Sequence, residues 1–180
     1  MNELTTFSES QLPDTLEDLK QFVLVGQAKL NAYLLKLQTV NRLSVAQEIR
    51  DQTLKESQEI STALIAAEKR IGELLLAIPK QAGRPSENSS TQVEKLKTKT
   101  ETIKEMGYSK DEASDYQQMA RHPEIVQKVI ENAIANGEVV TKTQVMKEIK
   151  AAKAEMAEKI ASLERESKER EDYITELESR

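Results

Sequence analysis

The chain has no cysteine and no tryptophan, and its 180 residues include only five glycines and four prolines. Aromatic side chains are limited to Phe7, Phe22, Tyr33, Tyr108, Tyr116 and Tyr173. The missing cysteine excludes a disulfide framework, a thiolate metal site and a cysteine nucleophile. Few turn formers and few aromatic side chains exclude a β-sandwich or barrel, which needs many turns and strand-forming residues. Charged residues make up 32% of the chain and are interleaved with apolar ones. No segment therefore approaches the roughly 18 apolar residues of a membrane-spanning helix. The N-terminal MNELTTFSESQLPD lacks the basic and apolar stretches of a signal peptide, so the expected location is cytoplasmic. A formal net charge of −5 argues against a generic nucleic-acid coat. Charge is nevertheless uneven. Lys80, Arg84, Lys95, Lys97, Lys99, Lys104 and Lys110 make the stretch 79–110 basic, and the following thirty residues are acidic.

What is abundant is helical periodicity. After a flexible arm over 1–15, apolar side chains recur at Leu16, Leu19, Val23, Gly26, Leu30, Tyr33, Leu37 and Val40. The alternating steps of three and four make one helical seam, and Gly26 lets a partner helix approach closely. The pattern predicts a first helix over about 14–41. A turn follows at Asn41-Arg42-Leu43-Ser44, with Ser44 and Gln47 spaced as a capping box. A second helix then runs to Ile78, ahead of Pro79. Its later seam reads Ile60, Leu64, Ala67, Ile71, Leu74, Ile78; its first half puts Gln52 and Glu56 near the seam and leaves the register there open. Residues 16–78 are thus expected to form a long antiparallel hairpin.

PKQAGRPSENSSTQ, residues 79–92, is expected to be a linker that lets the hairpin and the rest fold separately. Helices resume at Val93, with Leu96, Ile103 and Met106 facing inward. Gly107 stops this helix and Ser109 caps the next, over 110–120. His122-Pro123 breaks again before a helix over 124–135 with Ile125, Val126, Val129, Ile130 and Ile134. Asn136-Gly137 ends it, and Thr141 caps a last helix to the C-terminus. That helix reads Val145, Ile149, Ala152, Met156, then Ile160, Leu163, Ser167, Arg170, Ile174, Leu177, with one stutter between Met156 and Ile160. Residues 151–180 are expected to be a coiled-coil tail that assembles with another helix. The expected fold is all-α: hairpin, central module over 93–150, tail.

No arrangement of residues suits catalysis. His122 sits in a helix break, which reads as a surface turn. Neighbouring carboxylates such as Glu17-Asp18 and Asp111-Glu112 point in different directions on a helix and cannot share a substrate. Neither a phosphate loop nor metal-ligand spacing is present, so no cofactor, metal or enzymatic activity is expected.

Thr102 to Met119, TIKEMGYSKDEASDYQQM, has the spacing of a helix-turn-helix, in which the glycine reverses the chain and the second helix enters a major groove. Ser109, Lys110, Ser114, Gln117 and Gln118 are the candidate contacts on the second helix. Lys95, Lys97, Lys99 and Lys104 either hold phosphates from the preceding helix or simply solvate it. Asp111, Glu112 and Asp115 oppose phosphate, although an acid can accept from a cytosine amino group. Gly83-Arg84-Pro85 resembles the core of an AT-hook, whose arginine lies in a narrow minor groove, but Ala82 stands where the full core has a second arginine. An ordinary linker is the other reading of Arg84.

With Ala120-Arg121-His122-Pro123-Glu124-Ile125-Val126 and Gly137-Glu138-Val139-Val140-Thr141 added, the stretch 93–150 resembles the DNA-binding domain of ParB-like partition proteins. His122 stands where that family has leucine, and the family's nucleotide-binding box is absent, so the resemblance implies no nucleotide chemistry. The layout of Ala67-Glu68-Lys69-Arg70-Ile71-Gly72-Glu73-Leu74-Leu75, then Gly83-Arg84-Pro85, then Gly107-Tyr108-Ser109-Lys110 is similar to accessory proteins of bacterial plasmids, phages and conjugative elements. The resemblance supplies only the setting, a mobile genetic element; with the helix-turn-helix spacing and the uncovered seams, the leading expectation is a non-enzymatic protein whose central helices touch duplex DNA while the hairpin or tail forms homo-oligomers. The competing reading is an adaptor or inhibitor, such as a phage or plasmid counter-defence factor, whose acidic helices engage a host nucleic-acid enzyme.

Overall fold

The computed structural model describes residues 12–43, 46–78 and 98–178. Among them lie six α-helices and no strand: α1 (Leu16–Arg42), α2 (Gln47–Ala77), α3 (Lys99–Glu105), α4 (Lys110–Arg121), α5 (Pro123–Ala135) and α6 (Lys142–Glu178). The protein is all-α, as its composition predicts.

Local chemistry sets the helix ends. Thr15 caps α1 by accepting from the Asp18 amide. Ile78 is extended, as the residue before a proline must be, and so ends α2. The start of α2 differs from expectation. Ala46 is its N-cap, so Gln47 is the first helical residue rather than the third, and its side-chain Nε2 donates to the Asp51 carboxylate instead of reaching back. Ser44, the other half of the expected box, lies outside the described residues.

α1 and α2 lie antiparallel: Gly26 faces Leu64, while farther along α1 Lys36 Nζ is 4.0 Å from Glu56. A Cβ on Gly26 would sit 2.6 Å from Leu64 Cδ2, the close approach its place on the seam predicts. In the first half of α2 the open register resolves onto small polar residues. Thr53, Ser57 and Ser61 are buried there, whereas Gln52 is exposed and Glu56 partly so. Burial of hydroxyls is tolerable because Thr53 donates to Ile49 O and Ser57 to Thr53 O, one turn back.

The expectation that the linker separates two folding units does not describe this packing. Leu19 of α1 and Ile65, Ala67, Ile71 and Leu75 of α2 share one hydrophobic core with Ala113, Tyr116, Met119, Val126, Val129, Ile130, Val145 and Ile149. Helix α2 is therefore central, covered by α1 on one side and by α4 and α5 on another; residues 63–68 are buried all round. Polar ties reinforce this. Ser61 donates to the Val140 carbonyl and Gln58 to the Glu138 carbonyl at 2.9 Å, fastening the α5–α6 loop to α2.

Gly72 marks the tightest crossing. A Cβ there would lie 1.9 Å from the Tyr116 carbonyl oxygen, so only glycine lets the α4 backbone come so near. In α5, Ala133 is buried and the expected inward Ile134 is 49% exposed. Helix α6 runs unbroken for 37 residues. Its Val145 and Ile149 are buried, but Met156, Ile160, Leu163 and Ile174 are each more than half exposed, so the seam leaves the body near Ala152.

Candidate nucleic-acid interface

The turn between α3 and α4 is built by two capping motifs. Gly107 adopts φ +72°, which a side chain would disfavour. The Tyr108 amide bonds Ile103 O at 3.1 Å and the Gly107 amide bonds Lys104 O at 3.0 Å. This pair of bonds closes α3 in a Schellman turn. Ser109 then caps α4 reciprocally. It accepts from the Glu112 amide at 3.1 Å, and the Glu112 carboxylate accepts from the Ser109 amide at 2.9 Å. The Ser109 amide first, and the Ser109 hydroxyl second, donate to the Glu112 carboxylate and hold it below its ordinary range. The Ser109 hydroxyl also donates to Glu112, so it is committed to the cap.

Helix α4 buries Ala113, Tyr116 and Met119, and Met106 is buried beside the turn. This buried face of α4 packs into the core with Ile65, Ala67, Ile71 and Leu75 of α2 rather than chiefly against α3. The opposite face carries Lys110, Ser114 and Arg121, all exposed, with Asp111 also exposed and Gln117, Gln118 and Asp115 partly so. Two of the expected contacts are already engaged. Gln117 donates to Ala113 O at 2.7 Å and accepts from Lys99 Nζ, while Gln118 accepts from Lys153 Nζ at 2.8 Å. Lys104 is exposed at the end of α3. The structure thus brings Lys99, Lys110, Ser114, Gln117 and Gln118 around one helix. Arg84, Lys95 and Lys97 lie outside the described residues.

Two cations were missed by sequence reasoning. Arg121 extends the stripe that begins at Lys110 and Ser114, since residues three, four and seven apart share a helical face; that signal was present in the sequence. Lys153 comes from α6, thirty-five positions beyond Gln118, and only tertiary packing places it there.

His122 lies between α4 and α5, with its ring Nδ1 3.7 Å from Glu124, as a turn residue does. Among the described residues no group of histidines and carboxylates could hold a metal ion. Nor, among them, is any helix long and apolar enough to cross a membrane. A second surface feature is a groove of about 570 Å³ between α1 and α2, lined by Phe22, Val25, Gly26, Ile60, Ala63 and Leu64. No family model, curated protein or solved structure matches the chain.

Proposed function

We propose that the protein is a non-enzymatic, DNA-associated protein of a mobile genetic element, held as an oligomer by its C-terminal helix. The observation that carries this reading is the α3–Gly107–α4 turn with its outward stripe of Lys110, Ser114, Gln118 and Arg121, flanked by Lys153. Rigid capping at both sides of the turn holds α4 at a fixed angle, which a groove-reading helix requires. Asp111 and Asp115 on the same helix weaken contact with phosphate. One module of this kind binds weakly, and two modules tethered through α6 gain from effective concentration. The exposed Met156, Ile160, Leu163 and Ile174 supply the apolar seam for that tether. The mobile-element assignment rests on the resemblance of residues 67–75, 83–85 and 107–110 alone.

The α1–α2 groove favours a second reading, a protein-binding adaptor, because Leu24 and Val25 beside it are 63% and 65% exposed. Fluorescence anisotropy with random duplex DNA at low and moderate salt separates the two. DNA binding with a steep salt dependence, lost in Lys110→Glu with Arg121→Glu, supports the first reading. No binding even at low salt removes it and leaves the adaptor.

A further inference from the structure

Beneath α4, on the side away from the stripe, lies a buried polar cluster that neither reading uses. Glu68 of α2 is only 8% exposed, and its Oε2 has no hydrogen-bond partner. The Tyr108 hydroxyl, in the turn before α4, is likewise buried without a partner. The Glu68 charge acts on both Tyr108 and Tyr116, so the two unpartnered atoms share one neighbourhood. Tyr108 and Tyr116 meet edge to face with centroids 5.5 Å apart, and Lys142 Nζ, at the start of α6, lies 5.2 Å from the Tyr116 ring centre. Lys142 therefore spends its charge partly on an aromatic face and makes no close ion pair with Glu68. One turn along α2, Gly72 brings the α4 backbone into contact. A charge on Glu68 in that seam, with Oε2 unpartnered, is costly, whereas the neutral carboxyl carries no such charge to desolvate.

We propose that Glu68 is a proton-operated latch between α2 and α4, closing the seam when its carboxyl is neutral and loosening it when the carboxyl ionises. Charges on α4 and α6 bear on the balance. Burial is the largest influence and opposes the charge; Lys142 of α6 favours it, and Asp115 and Glu112 of α4 oppose it. Together they push the Glu68 carboxyl up to about 7. From α1, Glu17 adds negative potential at Tyr108. Because the folded value lies above the unfolded one, the stabilisation is complete below about pH 4.5 and is lost as pH rises through about 7. The latch operates whatever α4 binds.

If opening exposes Glu68 to water, the opening equilibrium of α4 rises about tenfold between pH 6 and pH 8, and about 300-fold at the alkaline limit. Hydrogen exchange on the full chain, corrected for intrinsic rates, reads this directly at the α4 amides. The expected result is that pH dependence in the wild type and a flat, closed response in Glu68→Gln. Equal pH dependence in both proteins, or none in the wild type, overturns the latch. Carboxyl-carbon NMR of the wild type gives an answer even if the variant fails to fold. A glutamate titrating near pH 7 supports the latch, and the absence of any glutamate midpoint above about pH 6 overturns it.

Discussion

Gly72→Ala sets two effects of opposite sign against each other, and the structure decides which wins. In an exposed helix interior, alanine in place of glycine stabilises by about 1 kcal/mol. Here the new Cβ would lie 1.9 Å from the Tyr116 carbonyl oxygen and 2.4 Å from its carbon, both backbone atoms of α4. Ordinary contact begins at 3.4 Å, so α4 must retreat by about 1.5 Å and carry Tyr116 and Met119 out of the core. Forced shifts of packed elements cost about 1–3 kcal/mol or more, and backbone cannot rotate away as a side-chain tip can, so the upper end applies. The net expectation is destabilisation by about 2 kcal/mol, or about 4–8 °C in melting temperature for a chain of this length. Gly26→Ala is the internal control. Its Cβ meets only the Leu64 side chain, nearest at the terminal methyl Cδ2, 2.6 Å away, which can turn aside, so the propensity gain roughly offsets the clash. Thermal and denaturant unfolding of both variants, followed by circular dichroism, provide the comparison. A Gly72→Ala protein as stable as the wild type, or more so, would refute the α2–α4 crossing.

Three further outcomes are expected. Leu19→Asp places a charge at a fully buried site in the core that α1 shares with α4, α5 and α6 and should cost about 4 kcal/mol or more, with helicity of both hairpin and module lost in a single transition; survival of a folded module in a fluorescence or circular-dichroism melt would count against the common core. Ser61→Ala leaves the Val140 carbonyl without its donor and should cost about 1–3 kcal/mol, with faster hydrogen exchange concentrated in the α5–α6 loop; unchanged exchange there would show that the tie contributes nothing. Deleting residues 153–180 removes Met156, Ile160, Leu163 and Ile174, which are each more than half exposed and belong to no core cluster among the described residues, so light scattering should report a smaller oligomer while the melting temperature of the body holds; an unchanged mass would remove α6 as the assembly element.

Most helix boundaries were legible because they depend on short-range chemistry. Gly107 and Gly137 end helices by taking φ +72° and +66°, Ser109 and Thr141 cap the next ones, and each signal lies within a few residues of its effect. The α1 seam was legible for the same reason: a helix with one buried face must repeat its apolar residues every three or four positions. The seam of α6 was legible too, because Ile160, Leu163 and Ile174 recur at helical spacing among charged neighbours. The first half of α2 was not, because Thr53, Ser57 and Ser61 are polar by composition and are buried only after their hydroxyls bond to nearby carbonyls. Along the candidate interface, Lys110, Ser114 and Arg121 could be read from helical spacing alone. Tertiary packing decided the rest, because which cations reach α4 depends on where other helices cross it. The crossings brought Lys99 to Gln117 and Lys153 to Gln118, and they joined hairpin and module in one core across a linker that reads as a boundary. The same packing buried Glu68, which in the sequence is one more charge on an amphipathic helix, because α2 is covered on both of its faces.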